Sequence, residues 1–318
     1  MNNHSPLQLI QHPTFKRHQL CVAVKRDDLL HPIISGNKWR KLKYNLLEAK
    51  KLNRTSVLSF GGAYSNHIHA LAFACKQQKL QSIGIIRGEV EYANNFTLRW
   101  AQHWGMKLVF VDRKTYKERH QQNYLERLQQ QFPNSFIVPE GGSNALALLG
   151  AAEICHELEN QTHYHSLMLP VGSGGTLAGL VVGDKGEHNL IGISVLKQGV
   201  NNNDYLNSEV NNLLPTAAQN FNNWHIQENF HRGGYAKFSE ADCLRIVDFV
   251  KATSIPFEPV YSGKMLLACL DLIEQGYFAA GSKIILLHTG GLQGLGGLAE
   301  RKLINAAQWS LPSAVKAR

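Results

Sequence analysis

Short apolar runs rich in β-branched residues recur along the chain, and most are followed by a longer stretch whose apolar positions fall three and four apart. The short runs are Ser56–Phe60, Ser82–Arg87, Lys107–Val111, Phe136–Val138, Leu167–Val171, Leu190–Val195 and Ile284–His288. Their near-continuous apolarity predicts strands covered on both faces, as parallel sheets demand. The longer stretches, Trp39–Lys51, Asn66–Lys79, Asn94–Trp104, Tyr116–Gln131, Ala145–Glu159, Glu240–Thr253 and Lys264–Gln275, carry the helical period. The alternation predicts an α/β chain of open parallel sheets with helices on both faces. Residues 51–150 hold four of the strands, which predicts a smaller α/β lobe inserted into a larger lobe made of 1–50 and 151–318. The Asn-rich stretch Gly199–Asn223 shows no clear period and predicts an irregular excursion.

Composition narrows the class. With 318 residues, 44% of them hydrophobic and 18% charged, the chain has material for two lobes and no tract that predicts disorder. No apolar run approaches the roughly 20 residues of a membrane span, and Met1–Pro13 does not read as a signal peptide, so a cytoplasmic protein without membrane contact is expected. Five scattered cysteines without a CxxC pair suggest neither a disulfide framework nor a zinc site, and Cys75 and Cys269, in apolar helical stretches, are expected to be buried free thiols. The formal charge of +9 is spread along the chain, with no arginine-rich arm. That bias suits small anions better than nucleic acid. No metal is expected: HExxH is missing from the sequence, and His67 and His69, two apart on a helix, point to different faces.

In α/β sheets ligands gather at the carboxyl ends of strands. Three such ends here lead into glycine-bearing loops. Gly172-Ser173-Gly174-Gly175-Thr176 follows Leu167–Val171 and opens a helix, an arrangement whose converging N–H groups cradle a phosphate. Leu177 stands where a dinucleotide fingerprint needs glycine, and no GK[ST] ending is present, so a single phosphate ester fits best. In Ser35-Gly36-Asn37-Lys38, Asn37 is expected to cap a helix that begins at about Lys38. The helix field and burial would then favour a neutral Lys38 amine, the form a Schiff-base lysine needs; the competing reading is a solvated basic helix start with Arg40, Lys41 and Lys43. Ser65, Asn66 and His67 follow the Gly61-Gly62 loop at another helix start that suits a carboxylate. His288-Thr289-Gly290-Gly291 and Glu258-Pro259-Val260-Tyr261-Ser262-Gly263-Lys264 are not specific by themselves.

Taken together and in order, Lys25-Arg26-Asp27-Asp28, Ser35-Gly36-Asn37-Lys38, Ser65-Asn66-His67 and His288-Thr289-Gly290-Gly291 resemble the family of 1-aminocyclopropane-1-carboxylate deaminase and D-cysteine desulfhydrase over nearly the whole chain. The resemblance implies the tryptophan-synthase-β-like fold, fold type II, with pyridoxal 5'-phosphate held in the larger lobe and bonded to Lys38. It implies that Asn66 meets the ring hydroxyl, that Ser65, Asn66 and His67 receive the substrate carboxylate, and that Ser173, Gly174, Gly175 and Thr176 hold the phosphate. It implies that Tyr235 and Tyr261 are the active-site tyrosines, with Ser262 opposite the pyridine nitrogen and Thr289 beside the cofactor. Tyr64 and His69 depart from the family pattern, at positions expected to shape the substrate pocket. The expected activity is β-elimination from D-cysteine or a similar small amino acid, because a hydroxyl at Ser262 makes a milder electron sink than the carboxylate of ring-opening relatives. Thr289 is expected to point the same way. The alternatives are ring-opening deamination, a racemase or dehydratase on the same scaffold, and a basic binding protein without catalysis. A homodimer is expected from the resemblance.

Overall fold

The computed structural model describes residues 4–34, 36–197 and 204–309; Ser35 and the part of the Asn-rich stretch from Gly199 to 203 lie outside them. In chain order the strands are β1 (Leu7–Ile10), β2 (Cys21–Lys25), β3 (Ser56–Gly62), β4 (Gln81–Arg87), β5 (Met106–Val111), β6 (Ser135–Ile137), β7 (Ser166–Val171), β8 (Asn189–Ser194), β9 (Trp224–Gln227) and β10 (Lys283–Leu287). They form a six-stranded sheet in the order β1-β2-β10-β7-β8-β9 and a four-stranded sheet in the order β5-β4-β3-β6. Every pairing is parallel except β1 with β2. The architecture is therefore the two-sheet α/β one expected. Three strands escaped the hydrophobic pattern. β1 and β9 are half-exposed edge strands, and β2 ends in a buried lysine.

Both faces of each sheet are covered, which explains the continuous apolar runs. Along β10, Ile284 and Leu286 face one core while Ile285 and Leu287 face the other. In the smaller sheet, Val57 and Ile86 enter one core and Leu58, Phe60, Ile83 and Ile85 the opposite one. The covering helices are α1 (Pro13–Arg17), α2 (Asn37–Lys51), α3 (Asn66–Gln77), α4 (Phe96–His103), α5 (Arg113–Lys117), α6 (Gln122–Gln131), α7 (Ala145–Glu159), α8 (Gly175–Asp184), α9 (Tyr205–Leu213), α10 (Glu240–Thr253), α11 (Ser262–Glu274) and α12 (Gly294–Glu300).

Two helical expectations need correction. Tyr116–Gln131 is not one helix: α5 and α6 are separated by a short 3-10 turn, and Gln121 is extended. Tyr116 and Arg119 both turn to Glu140 there, at 2.7 and 2.6 Å. The Asn-rich stretch is not wholly irregular either, since it contains α9. Leu206 and Val210 of α9 are buried in the same core as α8. Two apolar positions four apart make too narrow a stripe to stand out among asparagines.

Strand order decides where the loops go. The chain runs β7, β8, β9 in one direction and then returns β10 to the other side of β7. In the smaller sheet it runs β3, β4, β5 and returns β6 to the other side of β3. Each sheet thus has a switch point where neighbouring strands send their following loops apart and leave a crevice.

Helix α2 is pinned by a buried charge cluster. On α2, Arg40 reaches Asp27 (Nη2–Oδ1 2.9 Å) and Glu157 of α7 (Nη2–Oε2 3.0 Å), and Lys25 of β2 reaches the same Glu157 oxygen at 2.6 Å. Burial works against a charged Glu157, but Arg40 and Lys25 outweigh it and hold its carboxyl down at about 2. At the other end of α7, Asn144 accepts from the N–H of Ala147 (3.0 Å) and exchanges side-chain bonds with Asn45 of α2 (2.7 and 3.2 Å). Asn144→Ala removes that cap and is expected to cost about 1–2 kcal/mol, read by urea unfolding. A loss below about 0.3 kcal/mol would show that water replaces the cap fully.

Candidate active site

Gly36 sets the position of α2. Its φ is +71°, and a β-carbon there would lie 1.9 Å from the carbonyl oxygen of Thr289, so only glycine allows the two loops to touch. Gly36, not Asn37, precedes the helix; Asn37 is its first residue and serves as a clasp. Its backbone N–H donates to Thr289 O (3.2 Å), its Nδ2 to Thr176 Oγ1 (2.9 Å), and its Oδ1 accepts from Lys38 Nζ (2.8 Å). One residue thereby ties Lys38 to the ends of β7 and β10.

Both switch points open into one cavity of about 720 Å³. From the smaller sheet come Gly62–His67 after β3 and Pro139–Gly141 with Ser143 after β6; from the larger come Pro170–Gly174 with Thr176 after β7 and Thr289–Gly291 after β10. Lys38, Ser65, Asn66, His67, Ser173, Gly174, Thr176, Tyr235, Tyr261 and Thr289 all line it. Gly175 sits just behind, at the first residue of α8.

Electrostatics inside the cavity differ sharply from water. Burial pushes the Lys38 amine down to about 8, against a smaller opposing pull from Glu258. Lys41, one helical turn on, is fully buried rather than solvated, and burial with the Lys38 charge drives it well below the usual lysine range. Its Nζ donates to Ser143 Oγ (2.7 Å) and lies 3.5 Å from Ser173 Oγ, and the two serine hydroxyls are 2.8 Å apart. A β-carbon on Gly175 would fall 2.9 Å from that ammonium, so the start of α8 and Lys41 converge on one spot. Gly174, with φ +74°, turns the backbone into the helix. Two hydroxyls, a buried amine and a helix start thus share one spot at the cavity wall, a donor set that suits an anion.

Ser65 caps α3 by accepting from Ile68 N–H (3.3 Å). His67 is 2% exposed; its Nε2 meets Ser59 Oγ at 2.8 Å, while Nδ1 has no partner. Burial, then Lys41 and Lys38, push it far below the usual histidine range, so its ring is neutral. Tyr235 and Tyr261 meet edge to face at 5.9 Å. Lys264 holds the loop that carries Tyr235 by donating to His231 O (2.8 Å) and Gly234 O (2.6 Å). Burial, then the neighbouring Tyr235, push the Tyr261 hydroxyl well above the usual tyrosine range.

Other placements depart from the sequence reading. Ser262 is not among the lining residues; it sits behind Glu258, which is. The Ser262 hydroxyl accepts from Glu258 N–H (3.1 Å) and reaches the Glu258 carboxylate at 3.2 Å. Tyr64 lines the cavity beneath the Arg301 guanidinium, 4.9 Å from the ring centre. His69 does not line it: it packs edge-on against Trp104 at 4.7 Å, and burial lowers it to about 4. His67 and His69 are both buried, so their different faces are a cavity wall and a core. Lys41, Ser143, Asn37 and Glu258 were not foreseen as site residues. Lys41 had one available signal, its spacing of three from Lys38 on a helix; Ser143 had only its place after a strand end.

A buried amine held near neutrality, facing a hydroxyl-and-ammonium cradle at a helix start, fits an aldehyde-bearing phosphate ester. The sequence comparison agrees: residues 2–290 match the family profile described as pyridoxal-phosphate dependent enzyme. The chain belongs to that family. Among relatives of this pyridoxal-phosphate enzyme, a Pyrococcus horikoshii protein provisionally named 1-aminocyclopropane-1-carboxylate deaminase is 30% identical over 284 residues, covering 86% of this chain and 85% of its own. The Arabidopsis thaliana mitochondrial bifunctional D-cysteine desulfhydrase/1-aminocyclopropane-1-carboxylate deaminase is 28% identical over 313 residues, covering 90% and 76%. A crystal structure described as an ACC deaminase homologue superposes with a TM-score of 0.79 at 26% identity, covering 95% of this chain and 94% of that one. No helix among the described residues of this pyridoxal-phosphate enzyme is long and apolar enough to cross a membrane.

Proposed function

We propose that the chain is a lyase that releases ammonia from a small amino acid, with β-elimination from D-cysteine or a similar β-substituted amino acid as its principal reaction. The observation that carries this reading is the meeting, in one cavity, of the Lys38 amine lowered to about 8, the Ser143–Ser173 hydroxyls with Lys41 behind them, and the Tyr235–Tyr261 pair. When bound, pyridoxal phosphate draws electrons from the substrate's α-carbon. The chain's own residues supply the rest. Ser173–Thr176 and Lys41 hold the phosphate. Asn66 meets the ring hydroxyl, and the start of α3 at Ser65, Asn66 and His67 orients the substrate carboxylate. Lys38 carries the cofactor and, once released, moves a proton at the α-carbon. Tyr261, kept protonated by burial and by Tyr235, holds a proton for the departing group. The enzyme is read as a cytoplasmic homodimer that binds neither nucleic acid nor membrane.

One observation favours a second reading, ring-opening deamination. The sequence points to a hydroxyl at Ser262 and so to a mild electron sink, but a carboxylate, Glu258, lies 3.2 Å from that hydroxyl and faces the cavity. The hydroxyl therefore does not decide between the two reactions. The test compares pyruvate from D-cysteine, 3-chloro-D-alanine and D-serine with 2-oxobutyrate from 1-aminocyclopropane-1-carboxylate. Faster pyruvate release is expected; a clear preference for the cyclopropane substrate would overturn the first reading. Tyr261→Phe is expected to lower kcat about 10²-fold with the melting temperature and cofactor content unchanged. Normal turnover with lost stability would make Tyr261 a packing residue.

A further inference from the structure

Glu258 is 1% exposed, yet among the described residues no cation pairs with it: its partners are three amide N–H groups and the Ser262 hydroxyl. Oε2 accepts from Val260 N–H (2.7 Å), and Oε1 accepts from Tyr261 N–H (2.8 Å) and Ser262 N–H (2.7 Å). These donors lie at the start of α11, where N–H groups lack helical partners and the helix field favours an anion. The same carboxylate faces the cavity. A β-carbon on Gly291 would lie 3.4 Å from Glu258 Oε1 and 3.3 Å from Asn66 Nδ2, so acid and amide flank one glycine. Around it stand Lys38 on α2, with Lys41 behind; His67 on α3; Lys264 on α11; and Tyr235 and Tyr261.

We propose that Glu258 is a positioning residue of this site: its carboxylate holds the turn that sets Tyr261 in the cavity wall and fixes a negative charge beside Lys38. The proposal rests on the assignment of this cavity to pyridoxal phosphate. A cap alone could be made by any short acceptor; a carboxylate with both oxygens on amides is immobile, and its charge is not spent on a contacting cation. Ser262 stands behind Glu258 and commits its hydroxyl proton to Glu258 Oε1, so the carboxylate is the acid of this site. Burial raises the Glu258 carboxyl and the three amides pull it back down; the charge those amides stabilise would favour a ring nitrogen that carries a proton. Glu258 thus brings to a serine-bearing site the electrostatics of a carboxylate.

The test begins with apo-protein, where no cofactor chemistry intervenes. Competitive acylation across pH, read by mass spectrometry on the Lys38 peptide, titrates that amine in wild type, Glu258→Gln and Glu258→Asp. Loss of the charge lowers the Lys38 titration by about one unit, so acylation at pH 7 is expected to rise about fivefold in Glu258→Gln. In reconstituted enzyme kcat is expected to fall about tenfold or more with KM within about threefold, the signature of lost transition-state stabilisation. Glu258→Asp keeps the charge but shortens the reach: Lys38 acylation should stay near wild type while kcat falls. Wild-type Lys38 titration in a Glu258→Gln protein that melts normally overturns the proposal. If the Gln variant does not fold, wild-type kcat in Glu258→Asp overturns it instead. Failure of the wild-type protein to fix cofactor at Lys38 would refute the cofactor assignment, and the apo titration would still measure the charge of Glu258.

Discussion

Lys38→Ala is expected to fold normally yet to take up no cofactor that borohydride can fix, and to turn over amino acids about 10²–10⁴-fold more slowly than wild type, or not at all. The fold should survive because the Lys38 side chain makes one local hydrogen bond, to Asn37 Oδ1, while Gly36 and Asn37 keep α2 against the ends of β7 and β10. Chemistry should not survive, because only an unprotonated amine attacks an aldehyde. With Lys38 held at about 8, wild-type capture should quicken roughly tenfold per pH unit below that value and level off above it. Visible absorbance, and intact mass after borohydride, read the outcome. A visible band and a fixed mass increment in Lys38→Ala would move the assignment to another lysine. Lys41 is the one such a result would implicate, being the buried lysine one helical turn behind Lys38.

Lys41→Met is expected to weaken pyridoxal phosphate binding roughly tenfold to a hundredfold while leaving affinity for pyridoxal, which lacks the phosphate, unchanged. A charge-assisted hydrogen bond to phosphate is worth about 1.5–3 kcal/mol, which sets that range. The apo-protein should be no less stable, and can gain. Lys41 is fully buried among Ser143, Ser173 and the start of α8 and has no carboxylate partner among the described residues, so its charged form is disfavoured until an anion arrives. Methionine fills similar volume without that cost. Fluorescence titration of apo-protein with each ligand, alongside melting temperature, separates the two effects. Equal losses for pyridoxal and pyridoxal phosphate would mean that Lys41 shapes the cavity rather than holding the phosphate.

Much of the site was legible before any coordinates. Lys38, Ser65–His67 and Ser173–Thr176 were chosen because each stands at a helix start or strand end beside glycine, and Tyr261 and Thr289 through the family resemblance; all but Gly175 line the cavity. The misreadings share one cause. His69 was credited with shaping the pocket and packs on Trp104; Lys41 was given a solvated alternative and is buried; Ser262 was given the ring alone and shares its hydroxyl with Glu258. In each case the residue type was right for its local position, and its role was set by a neighbour that local spacing cannot name.

Period and loop chemistry act over a handful of residues, so the sequence by itself determined the alternation of strand and helix, the parallel sheets, and the glycine turns from which a phosphate and a carboxylate site could be read. Strand order acts over the whole chain. Only the tertiary structure decided that β10 returns to one side of β7 and β6 to one side of β3, so that two switch points share one cavity. It also decided which charges are buried, because the partners lie far apart in sequence: Arg40 with Glu157, Lys41 with Ser143, Asn37 with Thr176. Burial and charge pairing are properties of those distant contacts, and they, not residue type, bring Lys38 down to about 8 and place an acid between Ser262 and the cavity.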